Sequence, residues 1–369
     1  MPREARVVSL AAGNASVTAA GCAGATHELS RVSGGVGFDW VMAVLSAVFV
    51  GGLFLDGWAH THGRVDQSFF TPWHAVFYAG YAAVAAALVT VLLRNRARGY
   101  PWEQAVPPGY GLSLLGALVF AVGGAGDLIW HTLFGIEAGV EALLSPTHLA
   151  LALGLGLIVS GPVRAAWQRP ELVSGWMAQG PMLLALTVML SILTFFTEYA
   201  HPLVYPAAGG GHPYGGSEGL GVASILLQTM MLMGTILLVV RFGTLPAGAL
   251  TLVVTLNAVA MGFLTFHGAY PVALVIAAGA GGLLADLLSA RLRPMAGRPA
   301  AWRLFAFIVP AVFYLCYFLA LILTEGIAWS VHLWTGSITL AGLTGWLLSY
   351  LVLPSRSSEV AQGGAGEAR

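Results

Sequence analysis

The residues best suited to chemistry in this sequence are an aspartate and two histidines in one polar stretch. In DGWAHTHGRVDQSFFTPWH (56–74), Asp56 precedes His60 by four positions, and His74 closes the stretch. Residues four apart lie on one face of a helix, about one turn from each other. Two imidazoles and one carboxylate form a ligand set that suits copper, zinc or non-haem iron. The stretch therefore predicts a metal site.

A second stretch, DLIWHTLFGIEAGVEALLSPTH (127–148), repeats this order with Asp127, His131 and His148. Both aspartates are expected about one turn below the end of an apolar helix. An ionised group at the centre of a bilayer costs about 2.5–3.5 kcal/mol on insertion scales and usually marks a functional position. The alternative is a duplicated scaffold, in which each aspartate–histidine pair only forms a hydrogen bond that stabilises a helix end. The repeat of the whole pattern favours the metal-site interpretation.

Helix-start signals precede the last histidine of each stretch. Thr71 and Ser145 are each followed by proline and lie three residues before His74 and His148. Serine and threonine favour the N-cap position, and proline favours the first helical position. Each histidine is therefore expected in the first turn of a returning helix, where the helix dipole favours the neutral ring that binds metal.

The composition requires a membrane around these helices. Of the 369 residues, 57% are hydrophobic and only 9% are charged, whereas about 25% are charged in soluble domains. The formal net charge is zero, which gives no electrostatic basis for binding nucleic acid. We expect an all-α, polytopic integral membrane protein whose main partner is the lipid bilayer.

A membrane-spanning helix needs about 20 apolar residues, and the sequence supplies about ten such runs, arranged as five hairpins. They lie near 38–60, 72–93, 109–132, 147–164, 178–200, 219–241, 246–267, 271–290, 302–325 and 329–353. We divide the chain into a cytoplasmic, disordered tail (1–36), a duplicated two-hairpin metal-binding unit (37–165), further transmembrane helices (166–353) and a second disordered cytoplasmic tail (354–369).

The arginines predict the orientation, because cytoplasmic loops are enriched in basic residues. Both termini share one side with nearly all loop arginines: Arg94, Arg96, Arg98, Arg164, Arg169, Arg241, Arg291, Arg293, Arg298, Arg303 and Arg356. Only Arg64 falls on the other side. The termini are therefore predicted to be cytoplasmic, in a multi-pass plasma membrane protein of the bacterial inner-membrane type.

Nine of the ten histidines then fall on the extracytoplasmic side, although histidine was not used to set the orientation. Additional metal-ligand candidates on that side are Glu198, His201, His267, Glu325 and His332. Glu198 and His201 are three apart and would share a helix face. Taken singly, each of these residues is more typical of an interface or packing position than of a ligand.

The motifs Asp-x3-His-x13-His and Asp-x3-His-x16-His resemble the paired intramembrane metal motifs in the C subunit of copper membrane monooxygenases. That family oxidises methane, ammonia and short hydrocarbons, and its motifs read Asp-x3-His-x12-His and Asn-x3-His-x13-His. The resemblance implies one copper site at Asp56, His60 and His74 and a second at Asp127, His131 and His148. It covers roughly residues 50 to 155.

The sequence also departs from the family pattern. Asp127 stands where the family has asparagine, the second loop is three residues longer, and about ten spans exceed the number expected for that subunit. These departures predict a distant relative that shares the metal motifs but carries out a different reaction.

Three functions follow from the sequence. The first is a copper-binding, monooxygenase-like oxidoreductase acting on a small apolar substrate, with zinc or iron as alternative metals. The second is a transporter or loading protein for copper or another divalent metal, which predicts polar residues across the bilayer. Inward of Asp56 and Asp127 the sequence offers little polar character apart from Asn257 and Asp286. The third is a structural or sensory protein without stoichiometric metal. The sequence leaves open the catalytic residues, and whether partner subunits or further copies of the chain complete the protein.

Overall fold

The computed structural model describes residues 34–64, 69–137, 139–169, 174–210, 217–241, 243–265 and 270–353. Within these ranges the chain is helical, and its only β-type pairing is an isolated bridge between Gly209 and Ile327. The all-α prediction is confirmed. Residues 1–33 and 354–369, which hold most of the two predicted tails, lie outside the described residues.

Thirteen α-helices and one 3₁₀ turn make up the described fold. The helices are α1 (Val36–Thr61), α2 (Pro72–Ala97), α3 (Trp102–Ala105), α4 (Gly111–Phe134), α5 (Val140–Leu144), α6 (Pro146–Val159), α7 (Gly161–Trp167), α8 (Trp176–Phe195), α9 (Glu218–Arg241), α10 (Ala249–Leu264), α11 (Tyr270–Leu292), α12 (Pro299–Thr324) and α13 (Val331–Val352). The 3₁₀ turn, Glu198–Ala200, follows α8.

Eight of the described helices are long and apolar enough to cross a membrane, namely α1, α2, α4, α8, α9, α11, α12 and α13. The α6–α7 pair would make a ninth if it forms one broken span. Each of the ten predicted runs coincides with helix, but the seventh corresponds only to the 16-residue α10. The multi-pass membrane assignment is supported, whereas ten crossings remain a prediction.

The break between α6 and α7 bends the chain by 40° and follows from Pro162. Proline has no backbone N–H, so it frees a carbonyl in the preceding helical turn. Ser113 Oγ donates to the carbonyl of Ile158 over 3.1 Å, and Arg164 Nη2 donates to the carbonyl of Leu157 over 3.0 Å. These side chains supply the hydrogen bonds that the break removes, and they tie α6 and α7 to α4.

The short helix α10 is fixed by an aspartate from α11. The Asp286 carboxylate accepts hydrogen bonds from the backbone N–H groups of Leu250 (3.1 Å) and Thr251 (2.8 Å), and from the Thr251 hydroxyl (2.6 Å). A helix N-terminus has unpaired N–H groups and a positive dipole end, both of which favour a carboxylate there. Asp286 therefore acts as a helix cap supplied by a neighbouring helix.

We expect Asp286→Ala to lower the free energy of unfolding by about 1–2 kcal/mol, the usual cost of losing an N-cap. The change should appear as a lower midpoint of thermal unfolding in detergent. Glu103→Ala, at an exposed position of α3, serves as the control and should leave the midpoint unchanged. An unchanged midpoint in Asp286→Ala would show that the contact contributes nothing.

Close helix contacts bring the two predicted stretches into place. A Cβ atom on Gly80 of α2 would lie 2.7 Å from the Cα atom of Phe49 in α1, and one on Gly154 of α6 would lie 2.7 Å from the backbone nitrogen of Phe120 in α4. Only glycine permits such approaches, which are typical of packing between membrane helices. Helix α1 is thereby held against α2, and α4 against α6.

The opposite end of α1 is anchored by a buried acid. Asp39, which is 1% exposed, accepts a hydrogen bond of 2.7 Å from the Tyr110 hydroxyl at the start of α4 and forms an ion pair with Arg169. A buried carboxylate is tolerated when it is paired and hydrogen-bonded in this way. The contacts fix α1 relative to α4 and to the chain after α7, and so fix the direction in which α1 presents Asp56.

Candidate metal centre

The first triad consists of Asp56 and His60, near the end of α1, and His74, in the first turn of α2. Asp56 Oδ2 lies 3.8 Å from His60 Nε2 and 3.3 Å from His74 Nε2. One ligand atom from each residue lies within 4.8 Å of those of the other two. The spacing within α1 thus places Asp56 beside His60, and the α1–α2 hairpin brings His74 next to them.

The second triad consists of Asp127 and His131, in α4, and His148, in the first turn of α6. Asp127 Oδ1 lies 3.5 Å from His131 Nε2 and 3.2 Å from His148 Nε2. Asp127 is only 2% exposed and Asp56 only 9%, so each triad is built around a buried carboxylate. The structure reproduces in the second hairpin the arrangement of the first.

The predicted helix starts are confirmed. Thr71 Oγ1 accepts a hydrogen bond from the backbone N–H of His74 over 3.1 Å, and Ser145 Oγ accepts one from that of His148 over 3.4 Å. Threonine and serine are therefore the N-caps of α2 and α6. The caps hold each returning histidine at a defined point of the first turn, opposite the aspartate of the preceding helix.

Backbone carbonyls orient three of the four triad rings. His74 Nδ1 lies 2.6 Å from the Phe69 carbonyl oxygen, His131 Nδ1 lies 3.1 Å from that of Gly135, and His148 Nδ1 is bonded to that of Ala142. With Nδ1 donating to a carbonyl, the lone pair of a neutral ring is on Nε2, which faces the aspartate. Metal-binding histidines are commonly oriented by such a second hydrogen bond.

The two carboxylates differ in their surroundings. Thr147 Oγ1 donates a 2.8 Å hydrogen bond to Asp127 Oδ1, whereas Asp56 Oδ1 is buried and has no hydrogen-bond partner. A buried oxygen without a partner costs free energy. An aspartate–histidine hydrogen bond that only stabilises a helix end would leave this oxygen without a partner, whereas a bound cation would coordinate it. The donor set and this unpaired oxygen therefore fit a metal ion.

Both triads line one cavity of about 840 Å³. Its remaining wall is largely apolar and aromatic, and includes Leu53, Phe77, Leu143, Leu151 and Phe195. Tyr78, four residues after His74, also lines it. The cavity is much larger than two ions require, so it has room for an organic molecule beside both triads.

Glu198 enters the same cavity from the 3₁₀ turn. Its Oε2 atom is buried without a hydrogen-bond partner, and burial raises the pKa of this carboxyl to about 7. His201 instead lines a separate small cavity with Gln228 and Asn257, where burial lowers its pKa to about 3. The two residues were expected to share a helix face, but the structure places them in different cavities.

The other additional candidates do not join the triads within the described residues. Glu325, after α12, and His332, in α13, are exposed and do not line the metal cavity. His267 lies outside the described residues. Sequence reasoning missed Tyr78 and Thr147, although each has a local signal: Tyr78 is one turn beyond His74, and Thr147 lies between the cap Ser145 and His148.

Comparisons with known proteins add no relative to this description. No protein-family model, curated protein or solved structure matches the chain.

Proposed function

We propose that this protein is a copper-binding membrane protein and a monooxygenase-like oxidoreductase that acts on a small apolar substrate at the extracytoplasmic side of the bilayer. The observation that carries the proposal is the single cavity lined by two aspartate–histidine triads and, over most of its remaining wall, by apolar side chains. The motif resemblance selects copper among the metals that such ligands accept.

In this proposal each group of residues has a separate role. Two imidazoles and one carboxylate per triad would hold one ion and leave further coordination positions open. Copper, when bound, supplies one-electron and oxygen chemistry. Leu53, Phe77 and Phe195 hold an apolar molecule against the triads and exclude water. Glu198, a carboxyl in the same cavity, can hold or release a proton close to neutral pH.

Transport of a metal across the bilayer has less support. Asp286 is used in capping α10, and Asn257 Nδ2 donates hydrogen bonds to Ser191 Oγ (3.3 Å) and Thr194 Oγ1 (2.8 Å). The two polar residues noted inward of the motifs therefore have structural partners. Neither lines the metal cavity, so they do not extend it toward the cytoplasmic side.

Metal content measured by mass spectrometry on detergent-purified protein tests the proposal. We expect close to two copper ions per chain, one for each triad, with one lost in His60→Ala/His74→Ala and the other in His131→Ala/His148→Ala. The control is His201→Ala/His332→Ala, which removes two histidines outside the metal cavity and should retain both ions.

Other outcomes separate the parts of the proposal. Stoichiometric zinc or iron in place of copper would keep the site and reject the copper assignment. No bound metal after reconstitution with copper would overturn the metal site altogether. For copper-loaded protein, substrate-dependent oxygen uptake that disappears in both double variants would support the oxidoreductase activity, and its absence with candidate apolar substrates would count against it.

A further inference from the structure

A second space, distinct from the metal cavity, lies between the start of α2 and the outer half of α4. It has a volume of about 540 Å³, is open to the protein surface, and is almost entirely apolar. Its walls are Phe69, Phe70, Thr71, Pro72, His74, Ala75 and Tyr78 on one side and Gly124 and Leu128 on the other. We call this space the α2–α4 groove.

The groove opens onto a surface that suits lipid rather than water. Phe70, at its rim, is 79% exposed, and the neighbouring Val76 of α2 and Ile129 of α4 are 47% and 60% exposed. Both helices qualify as membrane spans by length and composition. Large exposed apolar side chains on a membrane helix are accounted for by contact with acyl chains. A molecule in the groove would therefore have come from the bilayer.

The groove and the metal cavity share a wall. His74 and Tyr78 line both spaces. The Phe69 ring belongs to the groove, and its centroid lies 5.0 Å from that of His74, 6.0 Å from that of Tyr78 and 6.2 Å from that of His131. Phe69 therefore contacts a histidine of each triad from the groove side.

We propose that the α2–α4 groove is the lateral entrance through which a small apolar molecule dissolved in the bilayer reaches the metal cavity, passing between Phe69 and Tyr78. This inference rests on the proposed function, because the metal cavity is the destination. The occupant is a small uncharged solute, since the groove walls are apolar and its inner end meets the apolar wall of the cavity.

Gly124 lines the groove directly beside the Tyr78 ring. A Cβ atom placed there would lie 3.0 Å from both Cε1 and Oη of Tyr78. A Cβ atom alone would therefore require the Tyr78 ring to shift by a few tenths of an ångström, and the longer side chain of leucine must displace the ring further and occupy the groove. Gly51, exposed on α1, has no atom within 4 Å of an added Cβ. The pair Gly124→Leu and Gly51→Leu thus adds the same side chain at a groove position and at an open one.

Photolabelling in lipid nanodiscs with an apolar aryl diazirine, followed by peptide mass spectrometry, tests the proposal. In the wild type we expect adducts on groove residues such as Leu128 and on cavity residues such as Leu143 and Leu151. Gly124→Leu should lose the cavity adducts, while Gly51→Leu keeps them. Leu128→Trp, which fills the groove from a half-buried position, gives a second blocking variant if Gly124→Leu does not fold.

Two results would overturn the entrance: cavity adducts that persist in both blocking variants, or wild-type adducts confined to the groove, as expected if it only holds a lipid acyl chain. Metal content is measured on the same samples. If copper is bound and the cavity residues are still labelled in both blocking variants, the entrance is rejected and the proposed function stands. Groove-dependent labelling without any bound metal would reject the proposed function and keep the entrance.

Discussion

Asp56→Ala should empty the first triad of metal and leave the second triad occupied. Asp56 Oδ2 is the atom that faces both His60 Nε2 and His74 Nε2, and its partner Oδ1 is buried without a hydrogen bond. Loss of a residue that only supports a ligand weakens metal binding about 10–100-fold. Loss of the carboxylate itself should therefore weaken binding at the first triad by at least about 100-fold.

Titration of metal-free protein with copper(II), followed by electron paramagnetic resonance, measures this effect. Asp56→Ala should remove one of two spectral components and Asp127→Ala should remove the other. Asp286→Ala is the matched control, because it also removes an aspartate from an apolar helix but one that caps α10. If Asp56→Ala retained both components with wild-type affinity, the first triad would not be a metal site.

The two components should differ even in the wild type, because the two aspartates differ. Asp127 Oδ1 accepts a hydrogen bond from Thr147, while Trp73 occupies the corresponding position before His74. A hydrogen bond to a ligand atom holds its orientation and withdraws electron density from it. The repeat therefore provides two sites with the same ligands but different supporting contacts.

The triads were predictable because every signal that builds them is local. Asp56 and His60 share a helix face through their spacing alone, and Thr71 places His74 in the first turn of the next helix. A hairpin then requires the end of one helix to lie beside the start of the next.

The rest of the site depends on packing between segments distant in sequence. Glu198 reaches the cavity because α8 ends at Phe195 and a 3₁₀ turn follows, so helical spacing does not relate it to His201. The contact of Phe69 with His131 joins two hairpins, and no pattern within either hairpin specifies it. The shared cavity and the α2–α4 groove are consequences of that packing.

Glu198→Gln should remove a pH dependence of stability that the wild type shows between about pH 4.5 and pH 7. Burial raises the pKa of this carboxyl from 4.5 to about 7 in the folded protein. Between these values the folded state binds more protons than the unfolded state, so the free energy of unfolding falls as pH rises. The full fall is about 3 kcal/mol and is complete once the pH passes the folded-state pKa.

The measurement is the unfolding midpoint of metal-free wild type and Glu198→Gln in detergent from pH 4.5 to 8, compared as a difference. Subtracting the variant isolates Glu198, because the triad histidines and aspartates are present in both proteins. A copper ion in the same cavity would favour the carboxylate and should move the pH window downward. Parallel stability curves for the two proteins would show that Glu198 titrates normally, and would remove it as a group that exchanges protons near neutral pH.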